Sequence, residues 1–136
     1  MRLEAYLFFN GRTEEALNFY REALGAEILS LLRFKDSPET TNATPEWQDK
    51  IMHATFSIGS SVIMASDGVH NAPQSYSGFS VSVIADTVES GEKMFASLSQ
   101  GGTIRMPWQP TFWSRGFGMV SDKFGMPWMV AIDDDI

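Results

Sequence analysis

The sequence predicts an α+β fold made of two βαβββ units. Three observations carry that reading. An amphipathic helix lies early in the chain, a weaker one lies at the matching place in the second half, and strand-like apolar runs follow each. Laid over one another, the halves pair Phe19 with Phe95, Gly25 with Gly101 and Ile28 with Ile104, a faint internal repeat. The stretch Trp108 to Val130 reads as a closing hairpin and holds three of the chain's four tryptophans. At 136 residues this is one domain, with unit one at about 1–67 and unit two at about 78–136.

Leu3 to Phe9 is a short apolar and aromatic run, suited to a strand buried on both faces. Thr13 is placed to cap the first helix, Glu14 and Glu15 meet the positive end of its dipole, and Gly25 is placed to end it. Ala16, Phe19, Tyr20, Ala23 and Leu24 form its apolar stripe. Ile28 to Phe34 reads as a strand. Lys35 to Lys50 is a long loop in which Trp47 either anchors the loop locally or closes over a pocket or partner. Met52, Ala54, Phe56 and Ile58 then alternate with His53, Thr55 and Ser57, and Gly59-Ser60 turns the chain into Ser61 to Ser66.

The second half repeats the plan. Phe79 to Ala85 is a strand, and Asp86 with Glu89 makes a capping box for a helix carrying Val88, Gly91, Met94, Phe95 and Leu98 on one face. Gly101-Gly102 ends it, Thr103 to Met106 is a strand and Pro107 to Thr111 a loop. Asp122-Lys123-Phe124-Gly125 is the turn of the last hairpin, and Asp133-Asp134-Asp135 a solvated tail.

The net charge of -7 opposes nucleic acid and anionic membranes as partners, because both are bound by clustered Lys and Arg. With no cysteine there is no disulfide, thiolate metal site or cysteine nucleophile, which fits a cytoplasmic protein. No signal peptide or membrane span is read at the N-terminus, where Glu4 interrupts the apolar run.

His53, one of two histidines, is the candidate catalytic base, or alternatively a structural histidine bonded across the sheet to Thr or Ser. His70 reads as a solvated loop residue. Candidate ligand-binding residues are Asp67, Tyr76, Trp108, Trp113, Arg115 and Trp128. Asp67 accepts hydrogen bonds from a ligand or caps a turn. Arg115 clamps a carboxylate, stacks on a ring or covers apolar surface. The tryptophans wall a pocket or fill a core, and Tyr76 divides the same way.

The motifs EEALNFYREALGAEI, HATFSIGSSVIMASD, SYSGFSV and WQPTFWSRGFGMVSDKFGMPWMV resemble the PhnB-like branch of the vicinal oxygen chelate superfamily, which includes glyoxalase I, bleomycin-resistance proteins and extradiol dioxygenases. The resemblance implies a curved mixed-sheet cup with helices outside, a small-molecule ligand and a homodimer. In that superfamily many members hold a divalent metal on the first and last strands of each unit. Those positions correspond here to Ala5, Met64, Ser80 and Met129, none a ligand for a hard cation, and a one-residue shift offers Glu4, Tyr6 and Asp67. The leading expectation is therefore a binding protein without cofactor, taking a flat or cationic ligand in an aromatic cup. The alternative is a lyase, isomerase or dioxygenase with a divalent metal on Glu4, His53 and Asp67. Relatives are sometimes labelled 3-demethylubiquinone methyltransferases, yet no strand here is followed by a G-x-G loop for a nucleotide-like cofactor.

Overall fold

The structure, a computed structural model, describes residues 1–38, 43–68 and 74–133. The chain divides into two compact units, Met1–Gln74 and Ser75–Ile136. Unit one runs β1 (Tyr6–Phe8), α1 (Thr13–Leu24), β2 (Glu27–Arg33), β3 (Ile51–Ile58) and β4 (Ser61–Ser66). Its sheet has the order β1-β4-β3-β2, with β1 parallel to β4 and the other pairs antiparallel. Unit two repeats this with β5 (Val81–Ala85), α2 (Val88–Leu98), β6 (Thr103–Gln109), β7 (Phe117–Ser121) and β8 (Pro127–Ile132), in the order β5-β8-β7-β6. These are the two βαβββ units that the sequence repeat predicts. Among the described residues, no helix is long and apolar enough to cross a membrane.

Each helix packs on one face of its own sheet. In unit one α1 buries Ala16, Leu17, Tyr20 and Leu24, and Tyr20 stacks on Phe56 with ring centroids 6.4 Å apart. Removing a Leu- or Tyr-sized side chain from water stabilises a fold by about 1.5–3 kcal/mol, so this stripe is a main tie between helix and sheet. Gly25, at φ 70°, ends the helix, with its N–H on Arg21 O and that of Ala26 on Tyr20 O. In unit two Gly91, Phe95 and Leu98 face the sheet. Gly118 permits the close approach, since a Cβ there would lie 2.6 Å from the Phe95 ring.

Four local expectations are corrected. β1 is an edge strand, not one buried on both faces: Leu7 is buried against the helix side, whereas Tyr6 and Phe8 are exposed and Leu3 fully so. Thr13 is the first helical residue and not the cap; its N–H and Oγ1 both donate to Asp67 Oδ1, at 2.9 and 2.6 Å. The capping box of α2 belongs to Thr87 and Ser90, not to Asp86 and Glu89, because a Ser hydroxyl reaches back to the cap amide as well as a carboxylate would. β6 continues through Pro107 to Gln109, as an edge strand tolerates proline.

The segment from Lys35 holds short 3-10 turns at Phe34–Asp36 and Pro45–Trp47, and Trp47 is a local anchor. It is buried, its Nε1 donates to Gly68 O at 2.8 Å, and its ring lies against Gly11. His70 and the end of the acidic tail, Asp134 and Asp135, lie outside the described residues.

Asp67 joins the start of α1 to the start of β3. Its Oδ1 also accepts the Gly11 N–H at 2.8 Å, its Oδ2 accepts the Ile51 N–H at 2.8 Å, and its own N–H donates to Ile51 O. The side chain is 2% exposed. Asp67→Ala leaves these donors unsatisfied, and we expect a loss of about 3–5 kcal/mol in urea unfolding. A loss under about 1 kcal/mol would contradict the role assigned to this carboxylate.

Candidate functional site

In each unit the side chains that face away from the helix form a candidate face of its own, and strand register identifies them. In unit two Gly118 lies under Phe95, and Ala85 and Ile132 lie against Gly91, so these positions face α2. Alternation then turns Met119 and Met129 to the opposite face, and the register sets Met106, Met119, Met129 and Ser82 in one row across β6, β7, β8 and β5. Three thioethers and one hydroxyl form that row. Phe117 stands on the same face, and Trp113 meets it edge-on with centroids 5.4 Å apart.

In unit one the corresponding row is Ser30, Thr55, Met64 and Tyr6. Beside it stands His53, paired with Leu32. The Tyr6 hydroxyl is 2.9 Å from His53 Nδ1, and His53 Nε2 is 3.1 Å from Thr55 Oγ1. Both ring nitrogens therefore have hydroxyl partners. Tyr6 also stacks on Phe8 at 5.0 Å. Burial raises the Tyr6 phenol above the ordinary tyrosine value, opposed by a hydrogen bond with Ser66.

The aromatic wall expected from the sequence is corrected. Trp128 is 1% exposed and its Nε1 donates to Asp122 Oδ2 at 2.9 Å, which makes it core. Trp108 turns to the helix side, where it packs on Phe95 at 5.9 Å and covers Gly91 and Gly116. An irregularity in the register between Met106 and Gln109 is what turns it there. Trp113, at 41% exposure, is the most exposed of the three, Trp108 being half-buried. Tyr76 is half-buried against Phe79 and the turn at Gly125, and burial, then the nearby Asp122 charge, raises its phenol. Arg115 is exposed between β6 and β7. Asp67 is committed to the backbone on both oxygens and has no face for a ligand. Sequence reasoning missed Met106 and Met119, which only the strand register of unit two sets beside Met129.

The residues do not fit a hard divalent metal. Glu4 pairs with Arg2 at 2.8 Å, Asp67 is buried in the backbone, and His53 is bonded to hydroxyls. No group of three or more His, Cys, Asp or Glu among the described residues is arranged to hold an ion. The alternative set of Glu4, His53 and Asp67 is therefore not assembled. On the first and last strands the register sets Tyr6, not Ala5, beside Met64 in unit one and Ser82, not Ser80, beside Met129 in unit two, and thioethers are soft donors.

With this geometry in hand, comparison with known proteins places the chain. The family described as 3-demethylubiquinone-9 3-methyltransferase matches residues 2–131. The chain belongs to this PhnB-like family. Protein PA1353 from Pseudomonas aeruginosa is 40% identical, with a TM-score of 0.87 over 99% of each chain. The PhnB protein from Bacillus cereus is 29% identical, with a TM-score of 0.81 over 97% of this chain and 99% of its own. Protein YjdN of Escherichia coli K12 is 39% identical over 97% of this chain and 95% of its own length. A glyoxalase/bleomycin resistance protein from Albidiferax ferrireducens, 13% identical with a TM-score of 0.62 over 97% of this chain and 98% of its own, shares the fold alone. The PhnB-like chain is thus an α+β protein of glyoxalase/bleomycin resistance-like architecture.

Two predictions follow from this geometry. A Cβ on Gly116 would lie 2.3 Å from the Trp108 ring, so Gly116→Ala should cost about 1–3 kcal/mol and red-shift the tryptophan emission; unchanged emission and stability would place Trp108 elsewhere. The fold favours the neutral Tyr6 phenol, so this contribution to stability is fully present below the unfolded-state value and is lost as pH rises through the raised folded-state value. Comparing alkaline absorbance titrations of the native chain and Tyr6→Phe should show the missing tyrosine ionising above the free amino acid. Ionisation at or below that range would contradict it.

Proposed function

We propose that this PhnB-like protein binds a flat, mainly apolar small molecule on the strand face opposite α2, without a metal. The observation that carries this is the row Met106, Met119, Met129 and Ser82. Thioethers are polarisable and conform to aromatic surfaces, which suits them to a flat ring and not to a hard cation. Trp113 and Phe117 extend the same face. Of the flat and cationic ligands expected from the sequence, the flat one keeps its support. The cationic one rested on the acidic net charge and on tryptophan faces, and two of the three tryptophans are packed within unit two. Two copies of the chain are proposed to associate, a reading supported by the exposure of Tyr6, Phe8, Ile84 and Phe112.

Methyl transfer is not the reading adopted. The first strand-to-helix turn of unit one, where a doubly wound fold would receive a nucleotide-like cofactor, is held by the Asp67 carboxylate. A second reading, an enzyme that uses His53 as proton acceptor, is favoured by the Tyr6 hydroxyl 2.9 Å from Nδ1.

Protein purified without chelator should carry no stoichiometric metal, and a flat aromatic probe such as 2-naphthamide should quench its tryptophan emission saturably. Trp113→Ala should weaken the probe by about tenfold, roughly 1.4 kcal/mol. Binding that requires an added divalent ion and disappears in His53→Ala would reverse the reading in favour of the metalloenzyme.

A further inference from the structure

The β6 strand of unit two carries an extra residue. Ile104 pairs with Val120 and Met106 with Met119, so Arg105 is inserted between successive pairs as a β-bulge. Unit one has the same device at the matching place in the repeat. There Ile28 pairs with Phe56 and Ser30 with Thr55, and the inserted residue is Leu29. The bulge is common to both units; the cation is found in one.

A bulge re-aims the side chain it carries. Arg105 Nε donates to Ser121 Oγ at 2.6 Å, and Ser121 alternates with Val120, which faces the helix. The guanidinium is thus pinned on the methionine face by its inner nitrogen. Its two terminal nitrogens have no partner among the described residues, and no carboxylate pairs with it. This differs from Arg2, Arg12 and Arg33, each of which meets a glutamate. In a chain of net charge -7, acids are available in number, yet none among the described residues forms an ion pair with this arginine.

From this juxtaposition we infer that the face binds an aromatic carboxylate, with Arg105 Nη1 and Nη2 taking the carboxylate end-on while Met106, Met119 and Met129 receive the ring. The inference rests on the flat-ligand reading above and adds the charge of the ligand. A planar fork with its inner nitrogen already satisfied presents two parallel donors, and these match the two oxygens of one carboxylate. The thioethers contact the ring through sulfur and methyl. Ser121 holds the fork in place, so less side-chain freedom is lost when the anion arrives.

The test uses the full chain labelled with carbon-13 at the methionine methyls, titrated with 2-naphthoate, 2-naphthamide and 2-naphthylmethylamine. Ring-current shifts should appear saturably at the Met106, Met119 and Met129 methyls. Naphthoate should bind about tenfold tighter than the isosteric amide, and the amine more weakly than either. In Arg105→Gln the preference for naphthoate should vanish while the amide still binds. Arg105 is exposed, and an unchanged methyl spectrum of the free variant shows that it has folded. Equal affinities for naphthoate and amide, a preference for the amine, or a preference for naphthoate that survives in Arg105→Gln would overturn the inference and leave the flat-ligand reading standing. No shift of these methyls with any of the three probes would overturn both.

Discussion

Buried carboxylates that collect backbone N–H groups hold this structure in register. Asp67 accepts from Gly11, Thr13 and Ile51, and so fixes at one point the start of a helix, the start of β3 and the end of β4. In unit two Asp122 accepts from Phe124 and Met126 within the last hairpin and from the Trp128 indole in the core. An unpaired carboxylate is costly to bury, but one that satisfies several amides resolves two problems together: its own desolvation and that of the donors at a helix start or tight turn. With the frame fixed this way, the faces away from the helices are relieved of holding the sheets together. They can carry hydroxyls, thioethers and an arginine.

Much of the fold was legible because it is written in periods. The stripe around Tyr20 and the alternation of Ala54 and Phe56 with His53 and Thr55 report a helix and a strand that each bury one side. Gly25 and Gly125 mark a helix end and a hairpin turn through their positive φ. What could not be read was tertiary. Asp67 carries no local sign that its partners lie more than fifty residues earlier, at Gly11 and Thr13. Trp108 and Trp128 look like surface-capable aromatics in sequence, and only register shows that Trp128 is core and that Trp108 lies on the helix side against Phe95.

The candidate site was less legible than the fold for the same reason. Composition marks His53 as rare, but the hydroxyl partners that define its surroundings come from β1 and from its own strand. Met106, Met119 and Met129 lie on three strands and read singly as ordinary core residues. Set in a row, they give the face a soft character opposite to that of a hard-cation site. The family relationship supplies the architecture, and the side chains on the strand faces supply the chemistry.

The inserted residue shared by β2 and β6 has a wider consequence. Because a bulge residue stands outside the pairing ladder, its identity can change without disturbing the hydrogen bonds or the alternation of its neighbours. In a repeated unit such a position can therefore differ while the pairing around it stays the same. Leu29 and Arg105 are the two residues found at that one place in the repeat. It is therefore a first position to vary in any redesign of the scaffold.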